Sequence, residues 1–497
     1  MSELAFMNQM HTQKGQFAPA DTIVIHPYGR YNNASKLAGE VDAYEALDML
    51  RANHRVDEDR ITVRGFSMGG ASAWHFAAHN PTAFAAANPG AGFSETPDFL
   101  KVFQKETLQP TDWERKLFRL YDCNEWAENF RMIPTVAYSG ELDSQKQAAD
   151  IMAVALKKIG IELTHVIGPK TAHKFEPEAA KEVERRMDAI AKQGRDRVPT
   201  NLSFVTYTLR YPKAAWLTVT GLGEHWEKAS VEGKIEAGYQ RIRLTTKNVT
   251  SLKIDFGPGD SPFDTGHEVV IDGVSLPGPS IQSDRSWSAS FRKEGASWVE
   301  GGPVTRLAKR HGLQGPIDDA FMDSFLFVSP SGKAASPKVD EWSKAEMAHA
   351  QEHWRRHFRG VAPIKPDTEV TAEEMRTKNL ILWGDASSNT IIAKLADRLP
   401  IQTRDGKITV GQQSYDAANH APILIHPNPE SPSRYVVLNS GFTFREFAHL
   451  NNARQIPKLP DWAIVNLDTP PNPLWPGKIV AADFFDEAWQ LKPATSK

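Results

Sequence analysis

The chain has one cysteine, Cys123, in 497 residues. That excludes an internal disulfide and any multi-cysteine metal site, and a lone cysteine of this kind reads as a small buried hydrophobe. Charge of one sign is also lacking: 58 Lys and Arg stand against 61 Asp and Glu, a formal net charge of −3. With no basic block to displace counterions from a phosphate backbone, nucleic acid is not an expected partner. No apolar run approaches the ~20 residues that cross a bilayer, so no membrane span is expected. The segment from Met1 to Met10 has no basic stretch followed by an apolar one, and no signal peptide is read there. The chain as written is therefore expected in the cytoplasm. Metal-ligand spacing is missing too: His311, Asp318, Asp319 and Asp323 read as a solvated acidic turn. Neither a metal nor a cofactor is called for.

What is there is ordinary globular composition, 40% hydrophobic and 24% charged, in a length that suits about three domains. Over residues 20–190 short β-rich runs alternate with helical patterns. Thr22-Ile-Val-Ile-His, Arg60-Ile-Thr-Val-Arg-Gly, Pro134-Thr-Val-Ala-Tyr-Ser-Gly and Leu163-Thr-His-Val-Ile-Gly read as strands. Val41, Tyr44, Leu47 and Leu50 recur at helical spacing, as do Val183, Met187 and Ile190. This rhythm predicts parallel βαβ units covered on both faces. From about residue 200 the period becomes two, and Asp272-Gly273 between Val269-Val-Ile and Val274-Ser-Leu is a hairpin signal. Near residue 303 the α/β rhythm returns, with strands at Phe325, Asn379, Pro422 and Tyr435 and helices near 340–358, 388–398 and 443–451. The expected fold class is α/β: a partial parallel sheet over 1–196, a small antiparallel β-sandwich over 197–302, and a second α/β domain over 303–497.

The chemistry concentrates in the first part. Gly65-Phe-Ser67-Met-Gly69 follows the strand Ile61-Thr-Val and opens the helix Ala71-Ser-Ala-Trp-His-Phe-Ala. A serine on such a strand–turn–helix stands on a sharp, strained elbow, and Gly65 and Gly69 are expected where a neighbouring Cβ would collide. The backbone N–H of Met68, at the helix start, faces a developing oxyanion. A serine hydroxyl needs a base to take its proton. Asp143 and His173 each lie on a loop just after a strand, in the chain order Ser, acid, His, with Glu141 the rival acid. His26, Tyr28 and Arg30 follow Thr22-Ile-Val-Ile on the same edge; they read either as substrate or oxyanion contacts or as a turn that packs its aromatic groups.

Gly-Phe-Ser-Met-Gly-Gly, Tyr-Ser-Gly-Glu-Leu-Asp and Gly-Pro-Lys-Thr-Ala-His together resemble the prolyl-oligopeptidase-like branch of the α/β hydrolases over about residues 1–190. The resemblance implies that fold and an acyl-enzyme mechanism at Ser67, His173 and Asp143, and leaves ester and peptide substrates both open. In that family the elbow strand is the fifth of its sheet. Here one strand precedes it, so the first three strands, and the loop that gives a second oxyanion donor, are expected to be missing. The chain then reads as N-terminally shortened, and a lost leader would make it secreted or periplasmic. The strand Thr22-Ile-Val-Ile would be an open edge, which is expected to be covered by the C-terminal α/β segment or by a second copy of the chain.

Two functional readings result. One is a carboxylic-ester hydrolase acting on a small or polymeric ester, with a peptidase as its variant. The other is a non-catalytic carbohydrate-binding or scaffold protein, in which Trp216, Trp226, Trp287 and Trp298 form a platform. Asn248-Val-Thr is a glycosylation sequon on a secretory route. Gly384-Asp385-Ala-Ser387-Ser388-Asn389 reads as a helix N-cap made by its Asp or Ser, with an anion site as the alternative.

Overall fold

Thr62–Phe66 (β1), Ala86–Gly90 (β2), Val136–Gly140 (β3) and Thr164–Gly168 (β4) line up in chain order as one four-stranded sheet. All three pairings are parallel, with Thr62 opposite Ala86 and Val136 opposite Thr164. The computed structural model describes residues 2–13, 15, 17–30, 32–303, 307–445 and 452–493. It forms two compact units, one of residues 1–104, 123–196 and 357–359, the other of 105–122, 197–356 and 360–497.

In the first unit β2 and β3 are buried at every position, as central strands with both faces covered are. Helices precede and follow the strands: Glu3–Thr12 (α1), Ala38–Asn53 (α2), Met68–His79 (α3), Pro97–Gln104 (α4), Lys146–Lys158 (α5) and Pro177–Gln193 (α6). The Ala179, Val183 and Met187 face of α6 packs with Ala86, Val136 and Tyr138 of the sheet, and Phe66, Val166, Phe175 and Ile190 close that core.

Two expectations fail here. Thr22-Ile-Val-Ile is not a strand: it has no regular structure and no pairing partner among the described residues, and Ile23, Val24 and Ile25 are 54%, 37% and 36% exposed. β-Branched residues favour extended backbone, but a ladder needs a neighbour to supply hydrogen bonds. β1 is therefore an edge of this four-stranded sheet among the described residues. Conversely, Ala86-Ala-Asn-Pro-Gly is a central strand that the sequence pattern does not announce.

The second unit holds two five-stranded sheets between Asn201 and Glu300 that share one hydrophobic core. The sheets are antiparallel except where Arg241–Lys247 runs parallel to Glu268–Ile271. The Asp272-Gly273 hairpin is present: Ile271 pairs with Val274, and the two turn residues hold φ of 50° and 87°, both positive as a type I′ turn requires. Beyond lies a seven-stranded mixed sheet that includes the expected strands Phe325–Ser329, Asn379–Leu382, His420–Asn428 and Ser431–Leu438. Helices occur at Pro337–Phe358 and Thr390–Leu395; the expected helix over 443–451 lies mostly outside the described residues.

Trp216, Trp226, Trp287 and Trp298 are all buried, so they present no stacking face and the carbohydrate platform is absent. The Asn248 side chain donates to the Glu224 and Glu227 carbonyls and accepts the Glu224 N–H, a structural role that leaves no free amide. Asp318 and Asp319 are buried rather than solvated: Thr443 bonds Asp318, and the Tyr435 hydroxyl bonds Asp319. The helix at Thr390 is N-capped, but by Asn389 rather than by the expected Asp or Ser: its side chain accepts the Ile391 and Ile392 N–H groups.

Candidate active site

β1 ends at Phe66 and α3 begins at Met68, so Ser67 makes the whole turn, with φ 56° and ψ −117°. A non-glycine residue held there costs on the order of 1–3 kcal/mol, and persists only where its surroundings over-determine it. They do. The Ser67 N–H donates to the Gly90 carbonyl at 2.8 Å, and its own carbonyl accepts the Ala71 N–H at 3.1 Å. A Cβ on Gly65 would lie 2.0 Å from the Gly69 carbonyl oxygen, one on Gly70 2.2 Å from that of Gly90, and one on Gly92 2.2 Å from that of Ser67. The expectation for Gly69 itself is corrected: a Cβ there meets nothing within 4 Å. Gly70 and Gly92 carry that steric requirement instead.

The register of the parallel sheet places the loops after β1, β3 and β4 at one edge, where open α/β sheets gather their chemistry. Asp143, on the loop after β3, is 6% exposed. Its Oδ1 accepts the Gln145 N–H at 2.9 Å, and its Oδ2 lies 2.8 Å from His173 Nδ1. His173 Nε2 lies 2.8 Å from Ser67 Oγ. With Nδ1–H donating to the carboxylate, Nε2 presents its lone pair to the serine hydroxyl. The structure thus joins Ser67, His173 and Asp143 in one hydrogen-bonded line. Glu141, the rival acid, instead accepts the Lys170 backbone N–H at 2.6 Å.

Phe66 lies 4.8 Å from the His173 ring and 5.0 Å from Phe175, and Phe175 stacks on Tyr138 at 4.2 Å. These rings form an apolar wall beneath the imidazole. Met68 is the first residue of α3, so its N–H has no intrahelical partner; its side chain lies exposed beside the serine. The other three residues of the sequence reading are engaged elsewhere. Arg30 Nε bonds both Asp42 oxygens at 2.7 and 2.8 Å, the Tyr28 ring lies 5.3 Å from Phe6, and the His26 ring packs against the backbone of Gly15. Among the described residues no cluster of three or more His, Cys, Asp or Glu could hold a metal, and no helix is long and apolar enough to cross a membrane.

Residues 31–193 match the prolyl oligopeptidase family, an α/β-hydrolase family. No curated protein matches the chain. Among solved structures, it is similar to S-formylglutathione hydrolase from Staphylococcus aureus at 17% identity and TM-score 0.23, over 30% of this chain and 61% of that one. The S-formylglutathione hydrolase from Agrobacterium tumefaciens matches at 19% identity and TM-score 0.25, over 33% and 62%. A protein assigned as dipeptidyl aminopeptidase IV from Bacteroides ovatus matches at 13% and TM-score 0.28, over 33% and 23%. The chain spans about three fifths of the length of the two hydrolases and less than a quarter of the third.

Proposed function

We propose that the prolyl-oligopeptidase-family segment over residues 31–193 is the catalytic part of a serine hydrolase that cleaves carboxylic esters through an acyl-enzyme. The observation that carries this is the unbroken line from Ser67 Oγ through His173 to Asp143, two contacts of 2.8 Å with the serine held at an elbow. Ser67 attacks the ester carbonyl as its proton passes to His173 Nε2. Asp143 fixes the imidazole in the tautomer that can accept the proton, and stabilises the imidazolium that results. The tetrahedral oxyanion forms against the Met68 N–H at the start of α3. Collapse expels the alcohol, which takes the proton from His173. Water, deprotonated by the same imidazole, then releases the acid and regenerates the serine.

An ester is proposed rather than a peptide because an alcohol is a better leaving group than an amine, so its cleavage asks less of the oxyanion donors, each worth about 10²–10³ in rate. A panel of p-nitrophenyl esters of rising acyl length, run on the full chain and on Ser67→Ala, tests the reading. Turnover by the wild type, lost in the alanine variant, supports it. Equal rates in both proteins would reject Ser67 as the nucleophile.

A further inference from the structure

The loop that carries His173 runs from Pro169 to Glu176, between β4 and α6. Lys170, Ala172, His173 and Lys174 are all exposed. Exposed connecting loops are ordinarily the mobile part of a scaffold. Proton transfer to His173 needs the opposite, because an imidazole a fraction of an ångström out of place no longer meets Ser67 Oγ. The question is what holds this loop still.

The holding groups come from β3 and from the two residues just past its end. On the N-terminal side of His173, Glu141 Oε2 accepts the Lys170 N–H at 2.6 Å. Beside it the Leu142 N–H donates to the Thr171 carbonyl at 2.9 Å, and the Glu141 N–H to the Gly168 carbonyl at 2.9 Å. On the C-terminal side, the Tyr138 hydroxyl donates to the Lys174 carbonyl at 2.8 Å and accepts the Glu176 N–H at 2.8 Å. Tyr138 is fully buried, and its ring is stacked on Phe175, so the hydroxyl has no freedom to follow the loop if the loop moves. Burial pushes this phenol above its ordinary range, which keeps its proton available to the Lys174 carbonyl.

Close packing records how tightly the strand and loop are drawn together. A Cβ on Gly140 would lie 2.2 Å from the Ala172 carbonyl oxygen, and one on Gly168 2.5 Å from the Tyr138 hydroxyl. One anchor would leave the loop free to pivot. Two, on either side of the histidine, fix both its position and the direction of its ring.

We infer that Tyr138 and Glu141 are positioning residues that clamp the His173 loop on both sides, so that β3 and the turn that leads from it to Asp143 also set the place of Asp143's imidazole partner. The inference rests on the acyl-hydrolase reading for its catalytic consequence, though the clamp itself is a statement about hydrogen bonds. Neither residue touches a reacting atom; each acts through His173.

The test uses the full chain, three single variants and a His173→Ala background. Tyr138→Phe keeps the stacked ring and removes only the hydroxyl. Glu141→Ala removes the acceptor at an exposed position and does not threaten the core, while Glu141→Gln keeps an oxygen there. Amide hydrogen exchange read by mass spectrometry on peptides across 164–176 should show faster exchange at 174–176 in Tyr138→Phe and at 170–171 in Glu141→Ala, with Thr164–Gly168 unchanged. Ester turnover should fall through kcat, by about 10–10²-fold, with KM within about twofold and Glu141→Gln restoring most of the rate. In a His173→Ala background, Tyr138→Phe should lower the residual rate no further. Unchanged exchange in both variants would overturn the clamp. Faster exchange with unaltered kcat, or a loss carried by KM, would overturn the positioning role. A wild type that takes no fluorophosphonate at Ser67 would reject the acyl-hydrolase reading instead, and the exchange measurement would still decide the clamp.

Discussion

The backbone of Gly92 passes so close to Ser67 that a Cβ on Gly92 would lie 2.2 Å from the Ser67 carbonyl oxygen. The segment after β2 thus props the nucleophile elbow from below. Gly92→Ala should force the two apart and lower fluorophosphonate labelling of Ser67 by at least tenfold, with the far-ultraviolet circular dichroism unchanged. Gly69→Ala, whose Cβ meets nothing within 4 Å, should label at close to the wild-type rate. Equal labelling of both variants would mean that the elbow does not depend on this contact.

Asp143→Asn and His173→Ala should each lower ester turnover by about three to four orders of magnitude, and joining either to Ser67→Ala should add little. Groups that act as one unit lose their effect together. The measurement is kcat on a p-nitrophenyl ester for the single and double variants. Losses that multiply would show that the three side chains act independently, against the single hydrogen-bonded line between them.

Parts of this arrangement are legible in the sequence because they are local. β1, β3 and β4 carry β-branched runs, and the serine, acid and histidine each follow a strand within a few residues. β2 is not legible. Ala86-Ala-Asn-Pro-Gly has no β-branched residue and contains a proline, and it is a strand because it is buried between β1 and β3, with the Asn88 side chain donating to the Val136 carbonyl at 2.6 Å. Thr22-Ile-Val-Ile shows the converse: strand-forming residues with no strand beside them. In the site, the contacts of Gly92 with Ser67 and of Tyr138 with Lys174 join positions far apart in the chain, and no spacing rule announces them. The tryptophans mislead for a related reason. Their count says nothing about which way they face, and all four in the double-sheet region point inward.

The Asp272-Gly273 turn does more than reverse the chain. The Asp272 carboxylate accepts the Thr246 N–H and hydroxyl, each at 2.7 Å, and the Trp298 indole N–H at 2.8 Å. Removing it strands a buried donor, at about 1–3 kcal/mol. Asp272→Ala should lower the thermal midpoint of the second unit and shift tryptophan emission to the red as Trp298 loses its partner. Asp272→Asn, which keeps one acceptor oxygen, should lose less. An unchanged midpoint in the alanine variant would show that these bonds contribute nothing net.

Asp318 sets a pH dependence of opposite sign to the usual one for a carboxylate. It is fully buried, and burial pushes it up to about 7, against the opposing bonds from the Thr443 N–H and hydroxyl. A folded-state value above the unfolded one means that the folded chain holds the proton more tightly. The stabilisation is therefore complete below the ordinary carboxylate range, near pH 4, and is lost as pH rises through about 7. Above that, folding must bury a charge. Asp318→Asn keeps the shape, offers Thr443 one acceptor and one donor, and carries no charge at any pH. Its stability relative to the wild type should therefore rise between pH 5 and about pH 7 and level off above that. Other groups titrate over the same span in both proteins, so the quantity to measure is the difference in urea midpoint between them at each pH. A difference that stays flat from pH 5 to 8 would mean that Asp318 keeps the same charge in the folded and unfolded chain throughout that range, and would reject the buried, protonated carboxyl.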